Sequence, residues 1–202
     1  MIKEACVEGF AEALAAGRAG ANRLELCENL QVGGTTPSCG TIKACLEKLH
    51  IPSFVMIRPR GGNFSYSPEE LEIMKSDIDV CKQLGVPAVV FGLLDKSGKI
   101  DEKNTGQLIE YSRPMQVTFH KAFDELSDPF TGLETLIELG VERILTSGTK
   151  ATAREGADIL NQLIEKAKGR IIIVAAGKVT GENLPELSRS IQTDEFHGKK
   201  IV

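Results

Sequence analysis

Ile2-Lys3-Glu4-Ala5-Cys6-Val7 and Arg23-Leu24-Glu25-Leu26-Cys27, separated by an amphipathic stretch, form the pattern that decides the fold. Both runs alternate with the period of two that belongs to an extended strand. Glu4 and Cys6 share one face of the first run. In the second, Arg23, Glu25 and Cys27 share a face while Leu24 and Leu26 take the other. Strand, amphipathic stretch and strand make one βα unit, and the same alternation continues outward to the end of the chain. Six further β-rich runs follow: Phe54 to Arg58, Ala88 to Leu93, Gln116 to His120, Arg143 to Thr146, Ile171 to Ala175 and Asp194 to His197. Eight strands alternating with helices predict an α/β fold, a (β/α)8 TIM barrel, as a single domain over residues 1–202.

The helices carry their own boundary signals. Ser67-Pro68-Glu69-Glu70 is a capping box with proline at the first helical position, and Leu71, Met74, Ile78 and Cys81 follow at helical spacing. Asp128-Pro129 opens another helix in the same way, with Leu133, Leu136 and Ile137 on one face. Gly85 and Gly140 close these two helices. Cys39, Cys45 and Cys81 fall within helices or at their starts and read as small buried hydrophobes. The chain stops five residues after His197, so the helix expected after the last strand is missing or truncated.

Composition narrows the function classes. With 202 residues, 42% hydrophobic and 26% charged, the chain can bury one substantial core. Its net charge of -4, with both signs evenly mixed, leaves no basic stripe for a phosphate backbone, so no nucleic-acid partner is expected. Apolar runs such as Val86 to Leu94 and Ile171 to Ala176 fall far short of the roughly 20 residues of a membrane span, so no membrane partner is expected either. An acidic residue, Glu4, stands where a secretory signal would be apolar, which predicts a cytoplasmic protein. Five cysteines with no C-x-x-C pair predict reduced thiols.

The chemistry gathers at strand C-termini, the end where barrel enzymes build their sites. Lumen parity puts Glu4, Cys6, Glu25 and Cys27 on neighbouring strands. The third strand leads into Arg58-Pro59-Arg60-Gly61-Gly62, the fifth into His120-Lys121-Ala122-Phe123-Asp124, and the eighth ends Glu195-Phe196-His197. Isolated charges in a lumen cost several kcal/mol each, so Glu4, Glu25 and Glu195 are expected beside Arg58, Arg60 or a histidine. A polar plug that only fixes register is the competing reading, although structural lumens are normally filled by Val, Ile and Leu. His120 and His197 are candidate bases or ligands, whereas His50 suits a helix C-terminus. Ser147-Gly148 and Gly177 follow the sixth and seventh strands, where backbone N–H groups can hold an anion.

These residues stand in words that resemble the CutC proteins, the copper homeostasis family, and their eukaryotic members in particular. The words are Glu4-Ala5-Cys6, Gly20 through Cys27, Glu28 through Ser38, Met56 through Gly62, Val117 through Asp124, Leu145-Thr146-Ser147-Gly148 and Thr193 through His197. The resemblance implies a cytosolic, homo-oligomeric TIM barrel, dimer or tetramer, associated with copper tolerance. It also implies Cu(I) binding, with Cys6 and Cys27 at the positions of the family's two mouth cysteines; soft thiolates select that ion. Arg58 and Arg60 would then favour the thiolate form. Lys121 departs from the family's usual Arg, keeping the charge and losing the planar fork. Two functions are therefore expected: a copper homeostasis protein holding Cu(I) on mouth thiolates, or a barrel enzyme for a small phosphate- or carboxylate-bearing metabolite. In the second, Glu4, Glu25, Arg58, His120, Asp124, Glu195 and His197 are the candidate catalytic groups, and Arg60, Ser147, Gly148 and Gly177 hold the anion.

Overall fold

The alternation of period two translates into eight parallel strands, because each strand buries one face against helices and the other in a closed lumen. The computed structural model describes all residues, 1–202. The strands are β1 (Ile2–Glu8), β2 (Arg23–Cys27), β3 (Ser53–Met56), β4 (Ala88–Phe91), β5 (Gln116–Phe119), β6 (Arg143–Thr146), β7 (Ile172–Ala175) and β8 (Glu195–Gly198). They close in sequence order into one barrel. Seven helices intervene: α1 (Gly9–Arg18), α2 (Cys39–Lys48), α3 (Pro68–Leu84), α4 (Glu102–Ser112), α5 (Pro129–Glu138), α6 (Ala157–Ala167) and α7 (Leu184–Ser190).

The capping box of α3 is present as read. Ser67 Oγ accepts from Glu70 N at 3.3 Å, and Glu70 Oε2 accepts from Ser67 N at 2.8 Å. Gly85 ends that helix at φ +75°, a left-handed conformation that any side chain would strain. Asp128 caps α5 through the N–H groups of Phe130 and Thr131. After β8 there is no eighth helix. Lys200 instead bridges Thr180 in parallel, and Ile201 is buried.

The core has two compartments. Outward-facing Leu24, Leu26, Val55, Phe91, Phe119 and Phe196 are fully buried against helix residues such as Met74, Ile78 and Leu133. Each such side chain contributes about 1.5–3 kcal/mol of burial, so this jacket holds the barrel together. Inside the lumen, Cys6, Cys27, Phe54, Met56, Ala88 and Val90 form one apolar group, and Leu145, Val174 and Ala176 another. β3 and β5 end two and one residues earlier than expected, because Arg58 and His120 already belong to the exit loops.

Candidate functional site

The registers across β8, β1 and β2 assemble the charged part of the lumen. Glu4 lies level with His197 on one side and Arg23 on the other, and Cys6 lies level with Glu25. At the base, Arg23 pairs with Glu4 through Nε and with Glu195 through Nη2 at 2.5 Å. Arg143 of β6 approaches Glu195 at 3.4 Å. Both guanidinium groups lie over the ring of Phe54, at 4.7 and 5.1 Å. One layer up, His197 Nδ1 donates to Glu4 Oε1 at 2.7 Å, and Nε2 lies 3.7 Å from Glu25 Oε2. The Cys27 thiol donates to the same Glu25 oxygen at 3.6 Å.

The expected carboxylate partners are thus corrected: a histidine does serve, but the arginines are Arg23 and Arg143, not Arg58 and Arg60. Arg58 is committed to backbone, donating from Nη1 to Val32 O (3.1 Å) and Gly34 O (3.0 Å) and from Nη2 to Gly62 O (2.6 Å). It ties the loop after β2 to the loop after β3. Arg60 turns outward onto Glu70 at 2.5 Å. Neither one tunes the thiols. The neighbouring Cys27 thiol and then His197 favour the charged form of Cys6, so its thiol falls well below its ordinary value despite burial. Cys27 rises well above its own, through the neighbouring Cys6 first, then burial and Glu25.

Burial likewise lifts Glu25 well above the usual carboxylate range against the pull of His197, and Cys6 and Glu4 add to the rise. Burial alone would depress His197, yet Glu25, Cys6 and Glu4 raise it well above its ordinary value. Glu4 is held low against burial by His197 and then Arg23. Glu4 and Glu195 thus meet Arg23, Arg143 and the His197 ring, while Glu25 lies between His197 and the two thiols.

Above this cluster opens a cavity of about 550 Å³, with Cys6, Glu25, Met56 and His197 among its lining residues. His120 lines it too. Its Nδ1 accepts from Ala122 N at 3.2 Å, so Nε2 bears the proton, and that buried Nε2 has no partner. Burial, helped by Arg58, pushes His120 down to about 3 and keeps the ring neutral. Asp124 does not reach the cavity floor. It accepts from Ser147 N and Thr149 N, both at 3.0 Å, from Thr146 Oγ1 at 2.5 Å and from Lys121 Nζ at 2.5 Å, and so shapes the loop after β6. Gly148 N donates to Thr146 Oγ1 at 3.0 Å. The N–H groups of Ser147 and Gly148 are therefore occupied within the loop, which corrects their expected use for an anion. Gly177 does line the cavity.

Arg23, Arg143 and the cavity lysines Lys178, Lys199 and Lys200 were not among the expected site residues. Arg23 has the parity of Glu25 and Cys27, which is signal enough to place it in the lumen. Lys178 and Lys199 each follow a glycine leaving β7 or β8, a repeated Gly-Lys word. Sequence gives no comparable sign for Arg143.

Fold and site together define a parallel (β/α)8 barrel that carries paired thiols, carboxylates and imidazole at its C-terminal mouth. The CutC family matches residues 1–202. The chain belongs to the CutC family. The copper homeostasis protein cutC homolog of Homo sapiens is 46% identical over 196 residues, 97% of this chain and 72% of that relative. A CutC protein of Mesorhizobium japonicum is 47% identical over 194 residues, 96% and 75% of the two chains. The crystal structure of CutC from Streptococcus agalactiae superposes with a TM-score of 0.95 at 37% identity, covering 100% of both chains. A deoxyribose phosphate aldolase of Aeropyrum pernix, TM-score 0.70 at 14% identity over 98% of this chain and 86% of its own, shares the fold alone. No helix is long and apolar enough to cross a membrane.

Proposed function

We propose that this chain binds Cu(I) through Cys6 and Cys27 and serves copper homeostasis in the cytosol as a homo-oligomer. The carrying observation is the sulfur pair: both Sγ atoms and a Glu25 oxygen lie within 4.8 Å of one another. A buried pair of soft donors, one already inclined to the thiolate, suits an ion that accepts two sulfurs. Loading removes the proton that Cys27 holds tightly, so affinity rises with pH. In anaerobic competition against a chromophoric Cu(I) chelator, Cys6→Ser and Cys27→Ser should each weaken binding at least 100-fold; parental affinity in both variants would overturn the assignment.

The size of the cavity favours a second activity at the same mouth, on a small anionic metabolite. About 550 Å³ is far more than one ion needs and lies in the range of small-molecule pockets. In this reading Glu25 is the acid, and His197, oriented by Glu4, is its partner in proton transfer. Arg23 and Glu195 fix Glu4, while Arg58 and Asp124 hold the flanking loops. A thermal-shift screen of small phosphates and carboxylates should yield a stabilising ligand, and one that stabilises the parent but is not turned over by Glu25→Gln places Glu25 in the chemistry.

A further inference from the structure

The loops leaving β7 and β8 differ from the others around the mouth. Gly177 and Lys178 both adopt left-handed backbone, at φ +100° and +55°. A Cβ on Gly177 would lie 2.7 Å from the Ser147 Cβ and 3.0 Å from Ala153 N, so only glycine lets the two loops approach. The carbonyls here are used: Gly177 O accepts from Ala153 N at 2.9 Å, and Lys178 O from Asn183 Nδ2 at 2.9 Å. The N–H groups of Gly177, Lys178 and Val179 donate to no acceptor in the protein, although Val179 is buried. Three consecutive unpaired donors on a pinned loop ask for an acceptor from outside.

The charges around them have the matching sign. Lys178, Lys199 and Lys200 line the same cavity, and none forms an ion pair, whereas Lys121 is already held by Asp124. Two to three strands round the barrel, His120 presents the Nε2–H that has no partner, on a residue only 4% exposed. Gly92 leaves the room for that ring, since a Cβ there would meet Nδ1 at 2.5 Å.

We propose that the mouth holds a small phosphate ester, its phosphate on the N–H groups of residues 177–179 and on Lys178, Lys199 and Lys200, and one of its carbon-bound oxygens accepting from His120 Nε2. A dianion with three terminal oxygens matches three N–H groups and three ammonium groups better than a monocarboxylate does. The assignment rests on the small-anion reading of the cavity and uses neither of the proposed copper ligands.

Titration calorimetry with inorganic phosphate, glycerol 3-phosphate and malonate tests the subsite. Phosphate and glycerol 3-phosphate should bind saturably, and Lys178→Gln with Lys200→Gln should weaken both at least tenfold, while the control Lys43→Gln on α2 changes neither. His120→Phe should weaken glycerol 3-phosphate and spare inorganic phosphate. Phosphate binding that ignores the lysine changes overturns the subsite. Malonate binding that survives the lysine changes but disappears in His120→Phe overturns the subsite and leaves the small-anion reading standing; no saturable binding of any of the three overturns both.

Discussion

The β8–β1–β2 sector and the exit of β3 each concentrate arginine and glutamate, and they use them in opposite ways. In the first, Arg23 is 7% exposed at its side chain and pairs with Glu4 and Glu195, whose side chains are 3% and 13% exposed. In the second, Arg58 spends its guanidinium on three backbone carbonyls, and Arg60 meets Glu70 at a surface where its side chain is 38% exposed. Arg23 and Arg58 are both buried and differ in their partners, carboxylates for one and backbone carbonyls for the other, whereas Arg23 and Arg60 share a carboxylate partner and differ in burial. A buried charge has only its partner to stabilise it, whereas a surface charge keeps most of its hydration.

The largest test of that contrast is Arg23→Met. The substitution keeps the bulk against Phe54 and leaves Glu4 with His197 alone and Glu195 with the more distant Arg143, so unfolding in urea should show a loss of about 3 kcal/mol. Adding Glu4→Gln and Glu195→Gln to the same chain should recover a sizeable part of that loss, because the under-compensated charges go with them. A loss below about 1 kcal/mol for Arg23→Met would mean that the sector is wetter than its geometry indicates.

The parity of two was enough to place Glu4, Cys6, Glu25, Cys27, Glu195 and His197 in one lumen, since in a closed barrel every second residue must face inward. It could not say who neutralises whom. Glu4 meets His197 across 193 positions of chain, a contact fixed by barrel closure and register and by no local signal. Arg58 had the correct parity as well, but its side chain is long enough to leave the lumen for loop carbonyls. Lys178, Lys199 and Lys200 sit in turns that no period governs, so only their backbone geometry shows which donors remain free.

His120, beside the β3 exit, gives a test of intermediate size. Its folded value of about 3 lies below the ordinary 6.5, so as the pH falls the unfolded chain takes up the proton first. The stability it contributes is present above about 6.5 and is lost as the pH falls toward 3. Between pH 7 and pH 5 this loss amounts to about 2 kcal/mol. His120→Gln removes the titrating ring, so whatever the variant costs at pH 7, its deficit against the parent should shrink by about that amount at pH 5. A deficit that stays constant from pH 7 to 5 would show that His120 protonates freely in the folded protein.

The smallest effect belongs to Arg60→Met, and it is the other half of the contrast with Arg23. Arg60 makes a well-formed pair with Glu70 and further hydrogen bonds to Ser65 O at 2.9 Å and Asn63 O at 3.0 Å, with its guanidinium 5.2 Å from the Tyr66 ring. Counted as contacts, it is as well connected as Arg23. Its removal nevertheless strands nothing, because Glu70 keeps the N–H of Ser67 at the start of α3 and keeps access to water. The helix N-terminus also favours that carboxylate without help. The expected cost in urea unfolding is at most about 1 kcal/mol. A cost equal to that of Arg23→Met would mean that the number of hydrogen bonds, and not the loss of solvent, sets the worth of an arginine in this barrel.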